Sequence, residues 1–152
     1  MDAYQMLRPW TNIEACECSS VDGLLLVDLL TNNPLHCSAC KREVDAARLN
    51  LSSTEVDAVY RWYSARRALN SLWLDSGEYE AYAKARLLDP KGQVNQLGIE
   101  LAHRLSARMP TRLWLFHDAD DGEPTNCPMC GSKLDTDVKW GVGRCLVCPI
   151  LI

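Results

Sequence analysis

Between residues 51 and 110 the apolar positions recur every three or four residues. Val56, Val59, Tyr60, Tyr63, Leu69, Leu72 and Trp73 trace one face of a helix. Ser52 and Glu55 stand three apart just ahead of that face, which fits a capping box, with Ser52 capping and Glu55 reaching back. Asp75-Ser76-Gly77 breaks the period, and Asp75 with Glu78 is placed to cap a second helix running to about Leu88. Asp89-Pro90 then opens a third: Asp89 is a natural cap and proline fits a first turn. Val94, Leu97, Leu101 and Leu105 give this helix one apolar face, and Pro110 ends it. Gly98 within it costs ~1 kcal/mol relative to alanine, which close packing against a neighbour would explain.

The flanks do not keep a helical period. Val21 to Leu30 reads as a strand or hairpin arm, turned by Asn32-Asn33-Pro34. Arg112 to Phe116 holds a nearly unbroken apolar run, the mark of a strand covered on both faces or paired centrally in a small sheet. Lys139 to Arg144 reads as a further strand.

Cysteine spacing changes the picture of those flanks. The eight cysteines fall into four pairs: Cys16-x-Cys18, Cys37-x-x-Cys40, Cys127-x-x-Cys130 and Cys145-x-x-Cys148. Each end of the chain thus carries four thiols, enough for one tetrahedral zinc site. Two intervening residues let both sulfurs of a knuckle face one ion, while backbone N–H groups donate to the thiolates. Gly131, directly after Cys130, suits the left-handed turn that follows such a knuckle because it has no Cβ. The tighter Cys16-x-Cys18 pair is less usual. His36 is an alternative ligand there, with a surface or supporting position as the simpler reading. Eight thiolates filling two sites leave no open coordination position, so both ions read as structural zinc rather than catalytic zinc. The competing reading is a disulfide scaffold. The expected fold is α+β: one domain over residues 1–152, with a zinc ribbon over 1–50, a helical core of about three helices over 51–110, and a strand with a second ribbon over 111–152.

Net charge narrows the partners. The formal charge is −4 with cysteines counted neutral, and two ions each held by four thiolates bring it to about −8. Residues 51–110 hold the basic concentration, Arg61, Arg66, Arg67, Arg86, Arg104 and Arg108, yet acidic residues there nearly balance it. A phosphate-gripping protein normally carries a basic patch. The run Asp118-Ala119-Asp120-Asp121-Gly122-Glu123 is the opposite: a solvated loop, or a contact surface for a basic partner formed by Asp118, Asp120, Asp121 and Glu123. His103 and His117 read as ordinary residues, and Asp75, Glu78 and Glu80 as capping and solvated carboxylates, so no catalytic residue is expected. No secretory leader or membrane span is read, which places the chain in the cytoplasm, where thiols stay reduced.

Several motifs resemble a group of bacterial proteins of unassigned function. They are Cys16-x-Cys18-Ser19-Ser20 followed by Pro34-Leu35-His36-Cys37-x-x-Cys40, Trp62-x-Ser64, Leu72-Trp73-Leu74-Asp75-Ser76-Gly77-Glu78-Tyr79-Glu80, Asn95-x-x-Gly98, Leu113-Trp114-Leu115-Phe116, Cys127-Pro128-Met129-Cys130-Gly131 and Cys145-x-x-Cys148. That group is described as zinc-ribbon-containing, with nucleic-acid binding suggested. The resemblance spans residues 14–152 and corresponds to the C-terminal two-thirds of longer members, although Gly141 to Arg144 stand where a more aromatic strand is expected. It implies zinc as cofactor. Acidic proteins of this kind also resemble immunity proteins that neutralise a co-produced toxin. The function expected is therefore a non-enzymatic protein-binding module, most sharply an immunity protein occluding a basic toxin domain. The alternative is a nucleic-acid-binding regulator.

Overall fold

The computed structural model describes residues 2–9 and 11–152. In chain order it contains α1 (Ala3–Met6), β1 (Leu24–Leu26), β2 (Leu35–Cys37), α2 (Ser53–Asp75), α3 (Glu80–Leu88), α4 (Gln93–Leu105), β3 (Thr111–Trp114) and β4 (Ile150–Leu151). The fold is α+β, with three long helices, a small sheet and a cysteine cluster at each end of the helical middle.

Local chemistry sets the helix ends, in one case as expected and in two cases not. Ser52 Oγ accepts from the Glu55 N–H at 3.2 Å, and the Glu55 carboxylate accepts the Ser52 N–H at 2.7 Å, so α2 starts at its capping box. The expected caps of the next two helices are corrected. Tyr79 stands at the N-cap of α3 without a side-chain bond, and the Ser76 hydroxyl accepts from the Tyr79 N–H at 3.1 Å. Gly92, not Asp89, stands at the N-cap of α4. Asp89 turns its carboxylate onto the Lys91 N–H at 2.9 Å, which spends the cap on a separate tight turn.

The sheet order is β2-β1-β3-β4. The β1–β2 hairpin is antiparallel, with Leu24 opposite Cys37, while β3 lies parallel to both β1 and β4. β3 is therefore the paired central strand anticipated from its apolar run. The expected strand over Lys139 to Arg144 does not form. Only Arg144 pairs, in single bridges to Asp135 and Leu151, and the last strand instead follows the final knuckle as β4.

One face of the sheet carries the main core. Leu24, Leu26, Leu113 and Ile150 meet Trp62, Val59, Leu101 and Leu105 there. Trp62 is 1 % exposed and satisfies its indole N–H on the Val94 carbonyl at 2.9 Å. Gly98 lets α4 approach this closely: an alanine Cβ in its place would lie 2.9 Å from both Leu113 Cδ1 and Trp62 Nε1. The opposite face, Leu25, Val27 and Leu151, is covered by Trp114, Val138 and Trp140. None of the helices among the described residues is long and apolar enough to cross a membrane.

The chain around Asp28 is pinned by a buried polar knot. Asp28 accepts from Arg67 Nη1 at 2.6 Å, from Asn70 Nδ2 at 2.9 Å and from the Leu30 N–H at 2.9 Å. This ties the β1–β2 turn to α2, and Arg67 Nη2 adds a bond to the Thr31 carbonyl at 2.7 Å. A charge-assisted set of this kind meets the usual demand that a buried carboxylate be paired.

Candidate metal centres

The two Cys-x-x-Cys turns that open on a strand or loop share one backbone design. The Cys37 N–H donates to the Arg42 carbonyl and the Lys41 N–H to the Cys37 carbonyl, both at 2.8 Å. In the second ribbon the Cys127 N–H donates to the Ser132 carbonyl and the Gly131 N–H to the Cys127 carbonyl, again at 2.8 Å. Both turns need a left-handed residue after the second cysteine. Gly131 supplies it freely at φ 77°, while Lys41 adopts φ 65° against its Cβ. The Lys41 carbonyl is held by His36 Nδ1 at 2.8 Å.

His36 is therefore neither a surface residue nor a ligand. It is 1 % exposed within β2 and serves as a support for the first knuckle. The carbonyl partner makes Nδ1 the protonated nitrogen. Burial lowers its pKa, so the imidazole stays neutral at physiological pH.

These turns bring the sulfurs together in two quartets. Cys16, Cys18, Cys37 and Cys40 form one, and Cys127, Cys130, Cys145 and Cys148 the other, with all four Sγ atoms of each quartet within 4.8 Å of one another. No disulfide joins any of the eight; Cys130 and Cys145 approach to 3.5 Å, far beyond a bonded pair. Sulfurs around a tetrahedral zinc lie about 3.8 Å apart, so modest closure accommodates the ion. The Val147 and Cys148 N–H groups already donate to Cys145 Sγ at 3.3 and 3.2 Å. Crowded thiols titrate against each other. The Ser132 hydroxyl leads in drawing Cys130 down to about 6, whereas burial leads in pushing Cys148 up to about 12. A divalent cation resolves that conflict by stabilising all four thiolates at once. Donor type, number and spacing thus fit two structural zinc ions, each closed by four cysteines.

Two arginines that the sequence did not point to hold the remaining knuckles. Arg48 donates from Nη1 to the Cys16 carbonyl at 2.8 Å and from Nη2 to the Cys18 carbonyl at 2.6 Å, clamping the tight Cys-x-Cys pair. Arg112, on β3, donates from Nη1 to the Cys145 carbonyl at 2.8 Å. Each guanidinium also sets a positive charge beside a site whose four thiolates outweigh the ion. A local scan passes over both because their contacts span about thirty residues.

The ribbons also touch each other. Trp140 donates its indole N–H to the Ser38 carbonyl of the first knuckle at 2.9 Å, and Lys139 Nζ reaches the Ala39 carbonyl at 2.5 Å. Lys41 and Lys139 both lie over the Trp140 ring, 4.8 and 5.1 Å from its centre. The pull of Trp140 toward Ser38 explains why this segment leaves the expected strand.

The acidic segment 118–123 folds as a short 3-10 turn over Ala119–Asp121, started by Asp118, whose carboxylate accepts the Asp120 N–H at 3.0 Å. Lys84 of α3 pairs with Asp118 at 2.7 Å and Asp121 at 3.0 Å. Of the four carboxylates expected to face a partner, Asp120 and Glu123 are exposed and uncommitted, while Asp118 and Asp121 anchor the turn. Among the basic residues of the middle, Arg61 and Arg104 are exposed along one groove that Asp57 and Glu100 also line, and the others are committed elsewhere. Arg66 is buried, Arg67 is spent on Asp28, Arg86 faces Asp89 at 3.6 Å, and Arg108 pairs with Glu55 at 2.7 Å. Comparison with known protein families, with curated proteins and with solved structures finds no match for this chain.

Proposed function

We propose that this chain is a non-enzymatic, zinc-stabilised protein-binding module, and most sharply an immunity protein that neutralises a basic toxin domain by covering it. The observation that carries this reading is the distribution of charge on a rigid frame. Asp120 and Glu123 project from a turn that Lys84 holds in place, between α3 and the second ribbon. A preorganised acidic surface loses little entropy on docking and speeds capture of a cationic partner. Sites closed by four cysteines offer no coordination position for a substrate. A nucleic-acid-binding regulator, suggested for the group that the motifs resemble, draws less support, because Arg66 is buried and Arg67 is paired with Asp28.

The test is affinity capture on the full chain from native lysate, divided into nuclease-treated and untreated halves, followed by kinetics with the captured protein. A stoichiometric basic protein that survives nuclease is expected. Asp120→Lys combined with Glu123→Lys is expected to slow its association about tenfold and to flatten the salt dependence. Nucleic acid in the untreated half with no stable protein in the treated half would overturn the reading.

A further inference from the structure

Arg66 has no role in the metal centres or the acidic turn, yet it is almost wholly buried in α2. Its Nε and Nη1 lie out of solvent without a hydrogen-bond partner among the described residues. Burial draws the guanidinium down only to about 10, opposed by the nearby Asp28, so it remains charged at neutral pH. Asp28 does not satisfy it, because the carboxylate is already held by Arg67, Asn70 and the Leu30 N–H. Asn70, one turn further along α2 and on the same face, leaves a second group open: its Oδ1 is buried and unpartnered. The amide cannot turn over, since Asp28 accepts and so requires Nδ2. Two donor nitrogens and one acceptor oxygen without partners therefore lie on one face of α2.

Both side chains line a cleft of about 520 Å³, within the roughly 300–1,000 Å³ of small-molecule sites. Its walls are aromatic. Trp73 and Phe116 meet edge to face at 4.7 Å, and Trp114 adds a third ring. Leu30 and Leu74 extend the apolar surface to an exposed rim.

We propose that this cleft binds a small organic monocarboxylate with an aromatic body, a site beyond the protein-binding reading and independent of it. The carboxylate meets Arg66 at the cleft wall, and the ring packs on Trp73 and Phe116. Charge selects the anion. Arg66 and Arg67 against Asp28 leave one net positive charge, which a monoanion balances and a phosphate dianion exceeds beside a buried carboxylate. An ordered water would satisfy an N–H but leave the charge uncompensated.

The experiment titrates the zinc-loaded full chain with phenylacetate, 4-hydroxyphenylacetate, phenylacetamide and inorganic phosphate. Tryptophan fluorescence and the Arg66 Nε–H resonance, assigned by its loss in Arg66→Met, are the readouts. Saturable binding of both acids with a shift of that resonance is expected, and the amide and phosphate should bind about tenfold or more weaker. Arg66→Met should abolish acid binding; should that variant fail to retain its zinc, the acid–amide comparison on the unaltered chain decides alone. Equal binding of acid and amide, tighter binding of phosphate, an unmoved Arg66 resonance, or no saturation by either acid up to about 10 mM would each overturn the proposal.

Discussion

At the scale of single residues, the metal centres divide the work between ligands and their supports. A thiolate cannot be replaced by a hydroxyl without losing a soft donor. Cys127→Ser and Cys16→Ser should each lower the zinc content from two ions per chain to one at saturating zinc, as measured by metal analysis of the purified protein. Arg48 binds no metal, yet it fixes both carbonyls of the Cys16-x-Cys18 turn. Arg48→Met should weaken zinc at the first site by about 10- to 100-fold and leave the second unchanged, read by competition with a chromogenic chelator. Arg112→Met should do the reverse. Gly131 at φ 77° has open space around it, so Gly131→Ala should cost about 1 kcal/mol from backbone conformation alone, measured by urea unfolding.

At the scale of elements, α2 shows what local sequence carries and what it does not. Glu55 closes the capping box and also accepts Arg108 through Nε at 3.1 Å and Nη2 at 2.7 Å. The Arg108 pairing leads in pulling the Glu55 carboxyl down to about 2. Because the folded value is depressed, the stabilisation is full above the ordinary carboxylate range. It is lost as pH falls from about 4.5 toward 2. Glu55→Ala should cost about 1 kcal/mol near neutrality and remove that part of the acid dependence, followed by thermal unfolding across pH. Gly98→Ala gains helix propensity of ~1 kcal/mol but forces a methyl against Leu113 and Trp62. Overpacking of ~1–3 kcal/mol should leave it less stable overall.

The start of α2 was legible because Ser52 and Glu55 report on each other across one turn, and Gly98 because a glycine on an apolar helix face signals close approach. The start of α4 was not: Asp89 has the residue type of a cap, and only the structure shows it bonded to Lys91. β4 was invisible, since two residues carry no period and its reason is the open edge of β3. The quartets were readable from spacing alone. Of their supports, His36 was already legible as a surface or supporting residue, whereas Arg48 and Arg112 depend on contacts made in three dimensions, as does the burial of Arg66.

At the scale of the whole molecule, the two ribbons act as one body through Trp140. Its indole N–H, its ring beneath two lysines and its cover over Leu25 and Val27 all join the second ribbon to the first. Trp140→Ala should cost about 2 kcal/mol. It should also uncouple the sites. In the unaltered chain, Cys127→Ser should lower zinc affinity at the first site, whereas with Trp140→Ala in place the same change should have little effect there, a double-mutant cycle read by zinc competition. The parallel pairing of β1 with β3 has a consequence in time. On a ribosome the β1–β2 hairpin and the first quartet emerge early, but the partner for the other edge of β1 begins at Thr111, after all three long helices. Until then the nascent chain carries an unpaired leucine-rich edge, the kind of template on which neighbouring chains add strands. A chain stopped at residue 110 should self-associate even when loaded with zinc, and synthesis slowed between β2 and β3 should lower the yield of soluble protein.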